Sequence, residues 1–275
     1  MDVVEAVKNG LANFTWSEII NEKDGIRMTF SVFSDALKIV HVEPDTGEAV
    51  QVRVMVTSVE AQQIADLLGC MCTTPLVEDL IARQAEVTIK PITQIDGNIC
   101  AVSTDTRHSE LVDAELAKVE NYEDGMLINT VGKSWVLVNK LAHPEQLKFG
   151  IHQAYNYGWI HPSAVYWSVT MLKCWQTVGG AHNDEHEDPS QTCRLMGKWV
   201  KVEHLETGEE YYVEVETAGP DPELGKLISH EGTLQVFRQP SVPEPEEKVI
   251  VLPEVIVYGT PPTTPTLREL KPLKV

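Results

Sequence analysis

KWVKVEHLETGEEYYVEV, residues 198–215, decides the fold. Lys198–His204 and Glu210–Val215 alternate apolar and polar side chains, which is the period of a half-buried strand. Thr207-Gly208 lies between them with turn chemistry, so the stretch predicts an antiparallel hairpin. Two more stretches read alike. Ala36–Val42 and Ala49–Val56 flank Asp45-Thr46-Gly47, and Met126–Val131 and Ser134–Asn139 flank Gly132-Lys133. Ile26–Phe33 reads as a further strand.

Helices stand apart from these strands. Thr57-Ser58-Val59-Glu60 is a capping box, with Gly69 as the stop of its helix. Thr74-Pro75 places proline in a first helical turn, and that helix should reach about Glu86. A third helix is expected around Asp105–Glu120, and a short one from Asp221-Pro222 to Ile228. Runs of strands with separate helices predict an α+β fold, with antiparallel hairpins and a few packed helices in one main domain. Residues 1–90 form its N-terminal α+β part, and residues 91–240 its β-rich main part. Eight of the sixteen prolines fall between Pro240 and Val275, so residues 241–275 are expected to be a flexible tail.

A hydrophobic fraction of 43% is enough to build a core. No apolar run approaches the roughly 18 residues of a membrane span. The net charge of −19 argues against a nucleic-acid partner, whose binding depends on Lys and Arg at the phosphates. It argues equally against an anionic membrane surface. Five scattered cysteines fit a reducing compartment better than a disulfide framework. MDVVEAVKNG lacks the basic and apolar regions of a Sec signal, so a cytoplasmic or virion-associated location is expected.

Gly132-Lys133-Ser134 lacks the earlier glycine of a P-loop, because Leu127 stands there, and a strand follows it. No HExxH, GxSxG or GxGxxG occurs. The segment with the most chemistry is GGAHNDEHEDPSQ, residues 179–191. It holds two histidines and four carboxylates within seven residues. His182 and His186 share a face if the turn is helical, and His186 and Asp188 do so if it is extended. Imidazole with carboxylate is a ligand set for zinc or another divalent metal, with His161 as a further candidate ligand. Glu185 or Glu187 would then serve as general base. A solvated acidic loop is the plain alternative. Metal-free chemistry through Ser190, with His182 and Asp188 near it in sequence, is another.

A second cluster is HQAYNYGWIHP, residues 152–162. As a strand it sets His152, Ala154, Asn156 and Gly158 on one face, and Tyr155, Tyr157 and Trp159 on the other. Tyr155, Asn156, Tyr157 and Trp159 are the expected substrate-lining residues; an aromatic core strand is the plain reading. In Ser229-His230-Glu231-Gly232, His230 reads as a cation at a helix C-terminus and Gly232 as its cap.

The blocks VTSVEAQQIADLLGC, TTPLVEDLI, VGKSWVLVNKL, NYGW, HNDEHEDPSQTCRLM and ISHEGTL together resemble an uncharacterised protein family of bacteria and their phages. The resemblance covers roughly residues 50–240. That family has no established activity, so the resemblance implies no catalytic role. Its acidic block carries an aromatic between Asp and Ser, where this chain has Pro189. A phage or bacterial origin would make cell-wall substrates plausible by association. The leading expectation is a metal-dependent hydrolase acting on a cell-wall or other polymeric peptide or glycan. The alternative is a non-catalytic structural or binding protein, for instance a phage particle component that meets a protein partner.

Overall fold

Asp24 and Gly25 both have positive φ, 52° and 80°, the backbone of a two-residue hairpin turn. They join Trp16–Lys23 to Ile26–Phe33 in full register, from Trp16↔Phe33 to Lys23↔Ile26. The Asp-Gly pair was a legible signal for the first of these strands, which the alternation alone did not reveal. The computed structural model describes residues 2–42, 46–92, 102–143, 147–148, 151–160, 174–187 and 190–246.

The first part runs α1 (Val3–Lys8), β1 (Ala12–Asn13), β2 (Trp16–Lys23), β3 (Ile26–Phe33), β4 (Lys38–Val42) and β5 (Ala49–Arg53). It continues through α2 (Ser58–Leu68), β6 (Cys70–Cys72), α3 (Pro75–Gln84) and β7 (Val87–Thr88). Next come α4 (Val102–Leu116), β8 (Ile128–Asn129), β9 (Lys133–Trp135) and β10 (Leu147–Lys148). β11 (Ile151–Ile160), β12 (Cys174–Asn183), β13 (Leu195–His204), β14 (Glu209–Glu214), α5 (Val215–Ala218) and α6 (Gly225–Ile228) complete the described chain.

The fold is α+β. The largest sheet has the order β14-β13-β3-β2, with β6 on the first residues of β13. The hairpin of the quoted stretch is its β13–β14 pair, from Trp199↔Glu214 to His204↔Glu209. β4 and β5 pair as expected, from Lys38↔Arg53 to Val42↔Ala49. The capping box is complete: Glu60 N–H donates to Thr57 Oγ1 at 3.1 Å, and Thr57 N–H to Glu60 Oε2 at 2.8 Å. Gly69 closes α2 with φ 64°. α3 ends at Gln84, two residues short of the expected end, and α4 spans Val102–Leu116 rather than Asp105–Glu120. The turn after Asp221-Pro222 becomes helical only at Gly225–Ile228.

The second expected hairpin does not form. Gly132-Lys133 is not a hairpin turn. β8 pairs in parallel with β7, and β9 pairs with β11. Lys133 N–H donates to Ser190 O at 2.7 Å, and Thr192 N–H donates to Lys133 O at 3.0 Å. The backbone groups that a hairpin would have paired locally are thus taken by chain far away in sequence. Asn139–Ala142 is a 3-10 turn rather than a strand end.

One hydrophobic cluster draws on Val3, Phe30, Ile64, Val77, Trp135, Tyr157, Leu195 and Leu234 alike. The parts 1–90 and 91–240 therefore share one core and form one domain. Val242 is buried and Arg238 Nη2 donates to Pro243 O at 2.7 Å, so packing runs slightly past residue 240. Residues 247–275 of the expected tail lie outside the described residues. Among the described residues, no helix is long and apolar enough to cross a membrane.

Candidate functional site

His182 is the penultimate residue of β12, opposite Ala154. Beyond it the chain turns. Glu185 N–H donates to Asn183 Oδ1 at 3.1 Å, and His186 N–H to Asn183 O at 3.2 Å. Buried Asp184 fixes this turn from two sides. Its N–H donates to His152 O, and its carbonyl accepts from Val59 N–H and Ser58 Oγ in the first turn of α2. The turn folds His186 back over His182, with ring centroids 3.9 Å apart and planes 9° from parallel. An imidazole binds a metal in its own ring plane. Two parallel stacked planes therefore do not direct both lone pairs at one ion. Among the described residues, no three His, Cys, Asp or Glu side chains converge as a metal site. Asp188 and His161, the other expected ligands, lie outside the described residues. Glu185 is exposed, Glu187 half-buried and Ser190 buried.

The strand register assembles the rest. Trp135 pairs with Asn156, Lys133 with both Gly158 and Gln191, and His182 with Ala154. Directly paired residues share a face, and so do residues two apart on one strand. Lys133, Trp135, Asn156, His182 and Gln191 therefore stand on one side of the sheet. The edge-on contact of Trp135 with His182, 6.5 Å between centroids, agrees with that placement. Lys133 is 4% exposed, with Nζ 5.1 Å from the centre of the Trp159 ring.

The backbone beneath this face is tightly packed. A Cβ on Gly132 would lie 2.6 Å from Thr192 Cγ2 and 2.9 Å from Ser190 O. A Cβ on Gly158 would lie 2.8 Å from Gly132 O. Thr130 and Trp159 have φ of 67° and 52°, a region costly for a β-branched or bulky residue. Asn156 and Gln191 are both 0% exposed. Neither the nitrogen nor the oxygen of either carboxamide meets a hydrogen-bond partner, and Trp159 Nε1 meets none. Each such orphan costs about 1–3 kcal/mol, so the fold tolerates several kcal/mol of unmet polarity here.

Tyr155, Tyr157 and Trp159 do not line an open cleft. They are 7%, 1% and 7% exposed, because β11 is covered at both edges by β9 and β12 and packs into the core. Of the expected lining set, Asn156 and the indole N–H of Trp159 carry unpartnered polar atoms.

α4 closes on the neighbouring segment. Arg53 N–H donates to Ser109 Oγ at 2.7 Å. Asp105 is buried, its Oδ1 is unpartnered, and burial pushes its carboxyl up to about 7; Glu187 adds to the rise. His108 is fully buried, and burial together with nearby Arg53 pushes it down to about 4. Asp105 faces the backbone of Met55, which bridges Thr192 beside Gln191.

The other side of β11 carries a hydrogen-bond network absent from the sequence reading. Tyr157 OH donates to Asp79 Oδ1 at 2.6 Å, and His230 Nε2 lies 2.7 Å from Asp79 Oδ2. Thr73 Oγ1 donates to buried Glu78 at 2.7 Å; burial raises the Glu78 carboxyl. His230, two residues past the end of α6, thus also meets a buried carboxylate. Nothing local in the sequence marks Glu78 and Asp79 as buried, because the Asp79 partners Tyr157 and His230 lie far away in the chain. Asn156–Gly158 thus pair with Lys133–Trp135, whose Lys133 also pairs with Gln191, and Tyr157 and His230 meet at Asp79. No family model, curated protein or solved structure matches this chain.

Proposed function

We propose that the chain is a hydrolase acting on a polymeric peptide or glycan, with its centre on the sheet face of Lys133, Asn156, His182 and Gln191. The observation that carries this reading is the set of unpartnered buried polar atoms of Asn156, Gln191 and Trp159 beside two half-buried imidazoles. Unmet polarity and strained backbone are held together where a ligand completes the bonding. An imidazole of the stacked pair takes the proton of an attacking water and returns it to the leaving group. The Lys133 ammonium favours the oxyanion that forms. A divalent ion remains part of the reading. His182 or His186, together with Asp188 and His161, would hold it, with Glu185 or Glu187 as general base, and it would lower the pKa of bound water.

The test is release of soluble fragments from labelled peptidoglycan, from a peptide polymer and from a glycan polymer. Each is run with EDTA and with added zinc or manganese. Wild type should release fragments from at least one substrate. His186→Ala and Lys133→Met should each lower the rate by roughly 10²-fold or more. Release that survives EDTA removes the metal from the mechanism. No release from any substrate under any condition leaves the non-catalytic reading in its place.

A further inference from the structure

We infer that the open edge of β14 binds an extended, cationic polypeptide segment, which adds to the largest sheet as a further strand. The inference stands apart from the hydrolase reading.

That sheet ends in β2 on one side and β14 on the other. The β2 edge is answered from within the chain. Ile20 N–H donates to Gln84 Oε1 at 2.9 Å, and Gln84 Nε2 donates to Ile20 O at 2.7 Å. β14 has no such cover among the described residues. It pairs with β13 alone, and the outward backbone groups of Glu210–Glu214 meet no hydrogen-bond partner there. Glu210, Tyr212 and Glu214 are exposed, Tyr212 to 52%. Such an edge is a template for an added strand, whose main-chain hydrogen bonds supply affinity.

The side chains select the partner. Residues 206–216 hold five glutamates and no lysine or arginine. Glu210, Tyr212 and Glu214 pair with Glu203, Lys201 and Trp199, so the three share one face of the edge. Lys201 pairs with Glu210 at 2.8 Å and Arg27 with Glu203, while Glu214 meets no cation among the described residues. Opposite charges on directly paired residues stabilise a sheet, and like charges destabilise it. A strand with Lys or Arg at alternate positions therefore sets cations against Glu210 and Glu214 and one over the Tyr212 ring. Tyr211 and Val213, on the other face, pack partly against the core, so the positions between the cations are apolar. A second copy of β14 would set glutamates against one another. Residues 248–257, a further β-branched stretch of this chain, hold one lysine and one glutamate and lack the alternating cations.

The probe is acetyl-Lys-Val-Lys-Val-Lys-Val-Lys-amide. It is compared with the peptide carrying Glu for every Lys, and with a form methylated at every backbone nitrogen, which keeps the charges and removes the donors. The readouts are fluorescence anisotropy of the labelled peptide and the backbone amide signals of Glu210–Glu214 in ¹⁵N–¹H spectra of the full chain. The lysine peptide should bind and shift those signals. The methylated form should bind at least about tenfold more weakly, the loss of one or two net hydrogen bonds. The glutamate peptide should not bind. Glu210→Gln with Glu214→Gln should weaken the lysine peptide at least about tenfold at an unchanged melting temperature, since exposed ion pairs add little stability.

Equal binding of the methylated and unmethylated peptides reduces the contact to diffuse attraction toward an acidic chain and overturns the inference. So does unchanged binding in the double variant, a response confined to residues outside β14, or no binding. Two other occupants would overturn it as well. β14 signals that move when the protein alone is diluted assign the edge to a second copy. β14 signals that move in the full chain carrying Ile250→Pro and Ile256→Pro assign it to residues 248–257.

Discussion

Asp105 and His108 stand three residues apart on α4, and their environments pull protonation in opposite directions. Asp105 is pushed up to about 7, against about 3.9 for an unfolded aspartate. The native state then holds its proton more tightly, so this term lowers stability as pH rises from about 4 through 7. His108 is pushed down to about 4, against about 6.5 unfolded. The unfolded state takes that proton first, so this term lowers stability as pH falls from about 6.5 to 4. Between these limits the two slopes oppose, each at most about 1.4 kcal/mol per pH unit. Denaturant midpoints across pH 4.5–6.5 should expose each slope once the other is removed. Asp105→Asn should make stability rise with pH across this range, and His108→Phe should make it fall. Parallel curves for both variants and wild type would show that neither group titrates apart from its unfolded value.

At the scale of elements, the close meeting of Gly132, Gly158 and Ser190–Thr192 sets the position of β9. Gly132→Ala should cost ~1–3 kcal/mol by overpacking, because its Cβ meets a β-branched side chain and a backbone carbonyl. Thr192→Ala in the same chain should recover part of that loss. A Gly132→Ala variant as stable as wild type in urea would contradict the packing. This element also marks where sequence reading stops. The capping box at Thr57, the stop at Gly69 and the β13–β14 hairpin were legible because their partners lie within a few residues. Lys133-Ser134-Trp135 pairs with residues 156–158 and 191, and alternation says nothing about which distant strand a segment will choose. The same holds for the site. The density of His and carboxylate in residues 182–188 singled out this loop from the sequence alone. The stacking of its imidazoles and the burial of Asn156 and Gln191 depend on contacts that spacing does not encode.

Over the whole molecule, the last described residues are tied to the first ninety. Asn21 Nδ2 donates to Leu227 O at 2.9 Å, and Thr74 Oγ1 to Ile228 O at 2.6 Å. Asp79 holds His230, Asp66 pairs with Arg238 at 2.9 Å, and Gln239 N–H donates to Gln62 Oε1 at 2.9 Å. These links close a loop of some 150–200 residues, and the shared hydrophobic core lies under them. A segment clamped in this way cannot leave without uncovering α2 and α3, so the described chain should unfold as one cooperative unit. Asp79→Asn weakens the clamp at its most buried point. It should cost ~1–3 kcal/mol, since Tyr157 and His230 both lose a carboxylate partner inside the fold. The check is urea unfolding followed by far-UV and near-UV circular dichroism together. In wild type and in Asp79→Asn the two probes should trace one transition, shifted to lower urea in the variant. Separate transitions, with one probe changing while the other holds, would mean that residues 1–90 and the β-rich part unfold independently and that the clamp does not couple them.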